Sequence, residues 1–167
     1  LLQEGGGVVP MLPIAPIIRV KDGDLESRML ADRHYSRQSH GHALFVGPGR
    51  KIVLRNPEGT WVFAWRRCNY RRDGQYGWEC TLFRNESQRL SSEIILDCEG
   101  YVAGRKFTYV KADAIKSINP GCCFIKAGWK RVGRSKVRGL VLLVKDAPMH
   151  RMEQCDMLSL APSSPVR

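Results

Sequence analysis

Nowhere in the chain does an apolar run approach the ~20 residues that a bilayer-spanning helix needs, so the sequence gives no reason to expect a membrane partner. Acidic residues are scarce. Sixteen Asp and Glu stand against twenty-seven Lys and Arg, a net charge of +11, and a compact domain with that field suits a polyanion or an anionic cofactor. No CxxC pair occurs among the six cysteines at positions 68, 80, 98, 122, 123 and 155. Several fall inside expected strands or helices, which points to reduced, buried thiols in a cytoplasmic protein rather than a disulfide framework. A basic leader is also missing. Residues 1–16 are apolar but broken by three glycines and three prolines, and do not read as a signal peptide.

What is present is ordinary for one globular domain: 167 residues, 43% hydrophobic and 26% charged, enough to bury a core. The expected domain covers residues 14–146, after a mobile lead-in over 1–13 and before a tail over 147–167. A first strand is expected over 14–20. Asp24 then caps a helix reaching Tyr35, with Leu25, Met29 and Leu30 as its apolar stripe. Strands follow over 43–46 and 51–55 around Gly47-Pro48-Gly49, then over 61–65 with Trp61, Phe63 and Trp65 on one face, and over 78–83. A helix is expected over 89–104, a strand over 106–110, and a closing unit after Asn119-Pro120-Gly121. That unit reads as a short helix over 122–127, a stop at Gly128, Trp129 folded back, and a hairpin of strands over 130–134 and 137–145.

Several residue sets carry chemistry. His34 and Tyr35 form a compact acid–base pair at a helix end, beside Ser36. His40 and His42 are spaced to share a face, and with His34 they form a candidate metal set, although no carboxylate or cysteine completes it. The loop between the strands over 61–65 and 78–83 interleaves Arg66, Arg67, Arg71 and Arg72 with Tyr70 and Tyr76, which suits phosphate neutralisation and base stacking. Ser87, Ser91 and Ser92, with Arg84 and Arg89, stand where a helix N-terminus can hold an anion. Cys122 and Cys123 read either as buried structural thiols or as a proton donor or nucleophile.

The closing unit, with Lys126-Ala127-Gly128-Trp129 after Asn119, resembles that of the GNAT acetyltransferase superfamily. The resemblance implies an α/β fold with a mixed, mostly antiparallel sheet flanked by helices, and Asn119 beside an acyl cofactor. Two features depart from that pattern. The glycine loop that grips the CoA pyrophosphate is absent from Arg84 to Ser92, so acetyl-CoA is a possible rather than an implied cofactor. Phe124 also stands where a tyrosine often serves as general acid.

His34-Tyr35-Ser36, Leu82-Phe83-Arg84-Asn85-Glu86 and Asn119-Pro120-Gly121 before Ala127-Gly128-Trp129 together resemble the phage Mom family of DNA-modification proteins. That likeness implies transfer of a carbamoylmethyl group to adenine N6 in the host cytoplasm. It would place His34, Tyr35, Arg84, Ser91 and Asp113 in the active site, with His34 or Asp113 moving the proton and Arg84 holding the donor's charge. Two other readings remain open. One is an acetyl-CoA-dependent N-acetyltransferase acting on a protein or small amine, and the other a non-catalytic nucleic-acid-binding module.

Overall fold

The computed structural model describes residues 16–37, 40–115 and 118–147. The expected lead-in, residues 14–15 of the expected first strand and nearly all of the expected tail lie outside them. The elements are β1 (Ile18–Val20), α1 (Leu25–Asp32), β2 (Arg50–Arg55), β3 (Trp61–Arg67), β4 (Trp78–Asn85), α2 (Ser91–Glu99), β5 (Lys106–Val110), α3 (Cys122–Lys126), β6 (Lys130–Arg134) and β7 (Val141–Lys145). A single turn of 3₁₀ helix, Ala112–Ala114, follows β5.

The strands form one seven-stranded sheet in the order β1-β2-β3-β4-β5-β7-β6. Every pairing is antiparallel except β4 with β5, so the fold is α/β with a mixed, mostly antiparallel open sheet. A parallel pair requires a crossover, and α2 supplies it. The alternation along β3 decides what covers each face. Trp61, Phe63 and Trp65 point to one side and pack with Ile94, Ile95 and Cys98 of α2, Phe124 of α3, and Trp129. Val62 and Ala64 point to the other and meet Leu30 and Ala31 of α1. At ~25 cal/mol per Å² of apolar area, the three buried β3 aromatics make the first of these the dominant core.

Five expectations about local structure are corrected. The last strand starts at Val141 rather than 137, because residues 136–138 form the hairpin turn. Residues 43–46 are irregular rather than a strand, because the Asp22 carboxylate accepts from the amides of Phe45 (2.9 Å) and Val46 (3.2 Å) and holds them as a loop. The first helix stops at Asp32, whose carboxylate is taken by Arg37 at 2.7 Å, turning the chain back on itself. Its expected stripe holds at Leu30 and fails at the other two residues. Leu25 and Met29 are 60% and 54% exposed, while Ser27, Leu30 and Ala31 are buried, since small residues let the helix approach the sheet closely. The second helix is Ser91–Glu99, shorter at both ends than expected. Asp24 does cap α1, accepting from the Ser27 amide at 3.1 Å. Gly128, at φ +88°, does follow α3 as its left-handed stop.

A candidate active site where the sheet splits

The parallel ladder between β4 and β5 lasts only three pairs, ending at Cys80 opposite Thr108. The Thr108 hydroxyl donates to the Cys80 carbonyl at 2.8 Å and ties this last rung. Beyond it β4 runs on to Asn85 and β5 to Val110, and a cleft opens between them. Its narrow half holds 190 Å³ and is walled by apolar side chains, Leu82, Phe83, Val110, Ile115 and Phe124 among them. The wide half holds 690 Å³ and is lined by Glu79, Lys111, Arg138 and Leu140. Tyr35, Ser36, Cys80, Thr81 and Tyr109 line both halves.

His34 lines the narrow half, and its protonation is fixed by its neighbours. Its Nδ1 accepts from the Ser36 backbone N–H at 3.2 Å and lies 2.7 Å from Ser36 Oγ. A backbone amide can only donate, so Nδ1 carries no proton and the neutral ring bears its hydrogen on Nε2. Burial, and then the Arg84 guanidinium, push the imidazole pKa down to about 4, so the ring is neutral at pH 7. His34 thus offers the cleft an N–H donor, with Ser36 connected to its basic nitrogen. The Tyr35 ring lies 4.2 Å from this one between centroids, tilted by 32°, its hydroxyl meets the Lys111 amide at 3.5 Å, and burial raises its pKa. Burial first and Asp73 second push Tyr109 up to about 12, its hydroxyl donating to that carboxylate at 3.0 Å. Three cysteines border the narrow half. Burial raises the Cys80 and Cys123 thiols, so both stay protonated and neither is a nucleophile at neutral pH.

Of the other expected site residues, Asn119 lines the narrow half as well. Arg84 does not line the cleft. Its Nε donates to Glu86 at 2.6 Å and its Nη1 to the Arg33 carbonyl at 2.7 Å, while Arg33 grips the same Glu86 carboxylate at 2.8 and 2.9 Å. Arg84 therefore braces the loop carrying His34 and sets its field. Asp113 lies exposed in the 3₁₀ turn, away from the cleft lining. At the β4–α2 junction Asn85 organises the polar groups, donating to Ser91 Oγ at 3.1 Å and accepting from Ser87 Oγ at 2.6 Å. Arg89 turns along α2 to Asp97 at 2.5 Å and Glu93 at 3.6 Å, and Ser92 is half-buried in the first turn of that helix. His40 and His42 are exposed, and among the described residues no three His, Cys, Asp or Glu are grouped to hold a metal ion.

The expected arginine loop is part strand, since β3 runs on through Arg66 and Arg67, and its four arginines divide into two pairs. Arg66 and Arg71 converge on Glu79, each at 2.6 Å, and Arg71 also holds Asp73 at 2.5 Å, so these two neutralise a carboxylate that lines the wide half. Arg67 and Arg72 are exposed, as are Tyr70 at 95% and Tyr76 at 68%, with the Arg105 guanidinium 4.5 Å from the Tyr76 ring centroid. Arg72 faces a basic groove of 530 Å³ whose opposite wall is the β6–β7 hairpin, with Arg134, Lys136 and Arg138. Tyr109, Arg138 and Leu140 line both this groove and the wide half of the cleft, which joins the two. The hairpin's contribution was not anticipated from sequence. The signal that marks it is the absence of any acidic residue between Asp113 and Asp146.

The class of protein that fold and site define is an α/β protein whose central sheet is split at its parallel pair by a cleft opening on a basic groove. No protein-family model, curated protein or solved structure matches the chain significantly. Among the described residues no helix is long and apolar enough to cross a membrane.

Proposed function

We propose that the protein is a GNAT-like, Mom-like group transferase that moves a small carbamoylmethyl- or acyl-type group to an exocyclic amine of a DNA base, adenine N6, in the cytoplasm of a phage's bacterial host. The observation that carries this reading is the continuity between the β4–β5 cleft and the basic groove. The narrow half suits a small group and the wide half a planar base, while the groove suits a phosphate backbone. An exocyclic amine is a poor nucleophile because its lone pair is delocalised into the ring, so most of the catalysis must come from orientation and from donors aimed at developing charge.

His34 Nε2–H and the Tyr35 hydroxyl, which stays protonated, are the donors for an oxygen of the transferred group. The amine attacks the electrophilic carbon of the donor molecule. The N–C bond forms as the bond to the leaving group breaks and takes its electron pair. Having attacked, the nitrogen is cationic and acidic, so a weak base is enough to remove its surplus proton. Ser36 Oγ, 2.7 Å from His34 Nδ1, passes that proton to the imidazole. Arg84 acts through His34 in this scheme, and Asp113 has no part in it.

A second reading draws on one observation. Beyond Cys80 the β4 edge facing β5 has no ladder partner, and an extended pantetheine arm of acetyl-CoA could add there as a strand does. Against it stands the β4–α2 junction, where no glycine loop is present and the polar groups bond to one another.

Mass analysis of nucleosides from DNA co-expressed with the protein decides between these. A new adenine-derived nucleoside, lost in His34→Gln, is the expected outcome. Unmodified DNA together with micromolar acetyl-CoA binding would select the N-acetyltransferase. Unmodified DNA with salt-steep DNA binding alone would select the non-catalytic module.

A further inference from the structure

Sequence reading assigns nucleic-acid contact to the arginine loop, yet half of that loop is consumed by ion pairs inside the protein. Arg67 and Arg72 stay uncommitted there, and a larger group of uncommitted cations lies on the β6–β7 hairpin. All of β6 is exposed, and it delivers Lys130, Arg131 and Arg134 to the sheet edge, with Lys136 and Arg138 following in the turn. Arg131 and Arg134 donate to the carbonyls of Pro120 (3.1 Å) and Gly139 (3.2 Å). Among the described residues none of these five side chains is paired with a carboxylate.

The turn itself is closed by Ser135, whose amide donates to the Leu140 carbonyl (2.8 Å) and whose hydroxyl accepts from the Leu140 amide (3.0 Å). At its tip Val137 is 95% exposed between two cations. A valine side chain held in water between Lys136 and Arg138 does nothing for the core. Val137, Arg138 and Leu140 nevertheless line the groove that runs into the cleft.

The geometry points to the β6–β7 hairpin as a duplex-DNA clamp, with Val137 as a wedge that unstacks a base beside the β4–β5 cleft. This deepens the proposed function and rests on it for what happens to the base afterwards. The physical case is that a base amine inside a duplex must leave the stack before any enclosed site can reach it. Proteins that kink DNA frequently do so with an apolar side chain pushed between base steps, and cations beside it can hold phosphates. The Lys136-Val137-Arg138 tip has that composition, and its position beside the wide half gives the displaced base a place to go. B-form DNA is the expected occupant because its minor groove takes such a wedge, whereas the shallow minor groove of an RNA duplex does not.

The test uses the full chain and a duplex oligonucleotide carrying 2-aminopurine in place of adenines, a probe whose fluorescence rises on unstacking. Wild type should bind with a steep salt dependence and raise the fluorescence. Val137→Gly should cut that rise at least fivefold while changing Kd by less than about threefold, because the phosphate contacts that set affinity remain. Arg134→Ala/Lys136→Ala/Arg138→Ala should flatten the slope of log K against log salt by ~2–3. Melting temperatures within 2 °C of wild type, as expected for exposed side chains without carboxylate partners, tie both effects to DNA. A preserved rise in Val137→Gly overturns the wedge. An unchanged slope in the triple variant, no duplex binding by wild type, or an equal response to duplex RNA overturns the clamp. None of these readouts requires modification. Unstacking without a modified nucleoside would leave this inference standing and remove the transferase reading, whereas modification at the wild-type rate in all variants would do the reverse.

Discussion

At the scale of single residues, His34 carries the most information, and only part of it was legible. A His beside a Tyr is visible in the sequence, but the tautomer is set by the Ser36 amide and the pKa by burial and Arg84, all of which need the fold. Arg84 reads in the sequence as a holder of the donor's charge, and what the sequence does not show is that its guanidinium is paired with Glu86. The two residues give one linked prediction. The unfolded chain protonates His34 near pH 6.5 and the native protein only near 4, so the unfolded state binds the extra proton between those values. Stability from this group is full above pH 6.5 and is lost as pH falls toward 4. His34→Gln should therefore flatten the fall in melting temperature between pH 6.5 and 4.5. Arg84→Ala removes the cation and should raise the His34 pKa, followed by the NMR shift of its imidazole protons, without restoring 6.5 because burial persists. A His34 titration unmoved by Arg84→Ala would cut the link between them.

Elements were read well wherever a local pattern dictated them, and poorly where a distant partner did. The period-two aromatics of β3, the Asp24 cap and the Gly128 stop each carry their own signal. The end of α1 does not, because it depends on Arg37 reaching back to Asp32 and forward to the carbonyls of His42 and Leu44. The split between β4 and β5 was invisible for a similar reason: each strand reads as continuous, and only the pairing shows that they part after three rungs. Gly77 marks where they begin. It sits at φ +96°, and an added Cβ would lie 2.2 Å from the Arg105 carbonyl oxygen, beside the Trp78 amide bond to that same oxygen at 2.9 Å. Gly77→Ala should cost on the order of 2 kcal/mol through strain and contact, a loss of roughly 5 °C in melting temperature. Scanning calorimetry showing wild-type stability would mean that the first rung is not fixed by this glycine.

Across the whole molecule the net charge of +11 announced a polyanion, but the sum hides its distribution. Much of the arginine is spent inside the protein: Arg66 and Arg71 on the Glu79–Asp73 pair, Arg33 and Arg84 on Glu86, Arg89 on Asp97. Charge that is tied to a carboxylate releases no counterion when a phosphate arrives, so only unpaired cations contribute to the salt slope. This separates the four arginines at the end of β3 and in the loop after it into two pairs with opposite signatures. Arg67→Ala/Arg72→Ala should lower the slope of log K against log salt for duplex DNA by up to ~2 and leave melting unchanged. Arg66→Ala/Arg71→Ala strips both cations from Glu79, which is nearly buried, and leaves its charge without compensation. That variant should melt several degrees lower while its slope, measured where it remains folded, stays within about one unit of wild type. Anisotropy titrations between 50 and 200 mM salt, paired with thermal melts, would read both quantities on the same samples. A slope that fell in the second variant and not in the first would place the DNA against Arg66 and Arg71 and require the Glu79 pairs to open on binding.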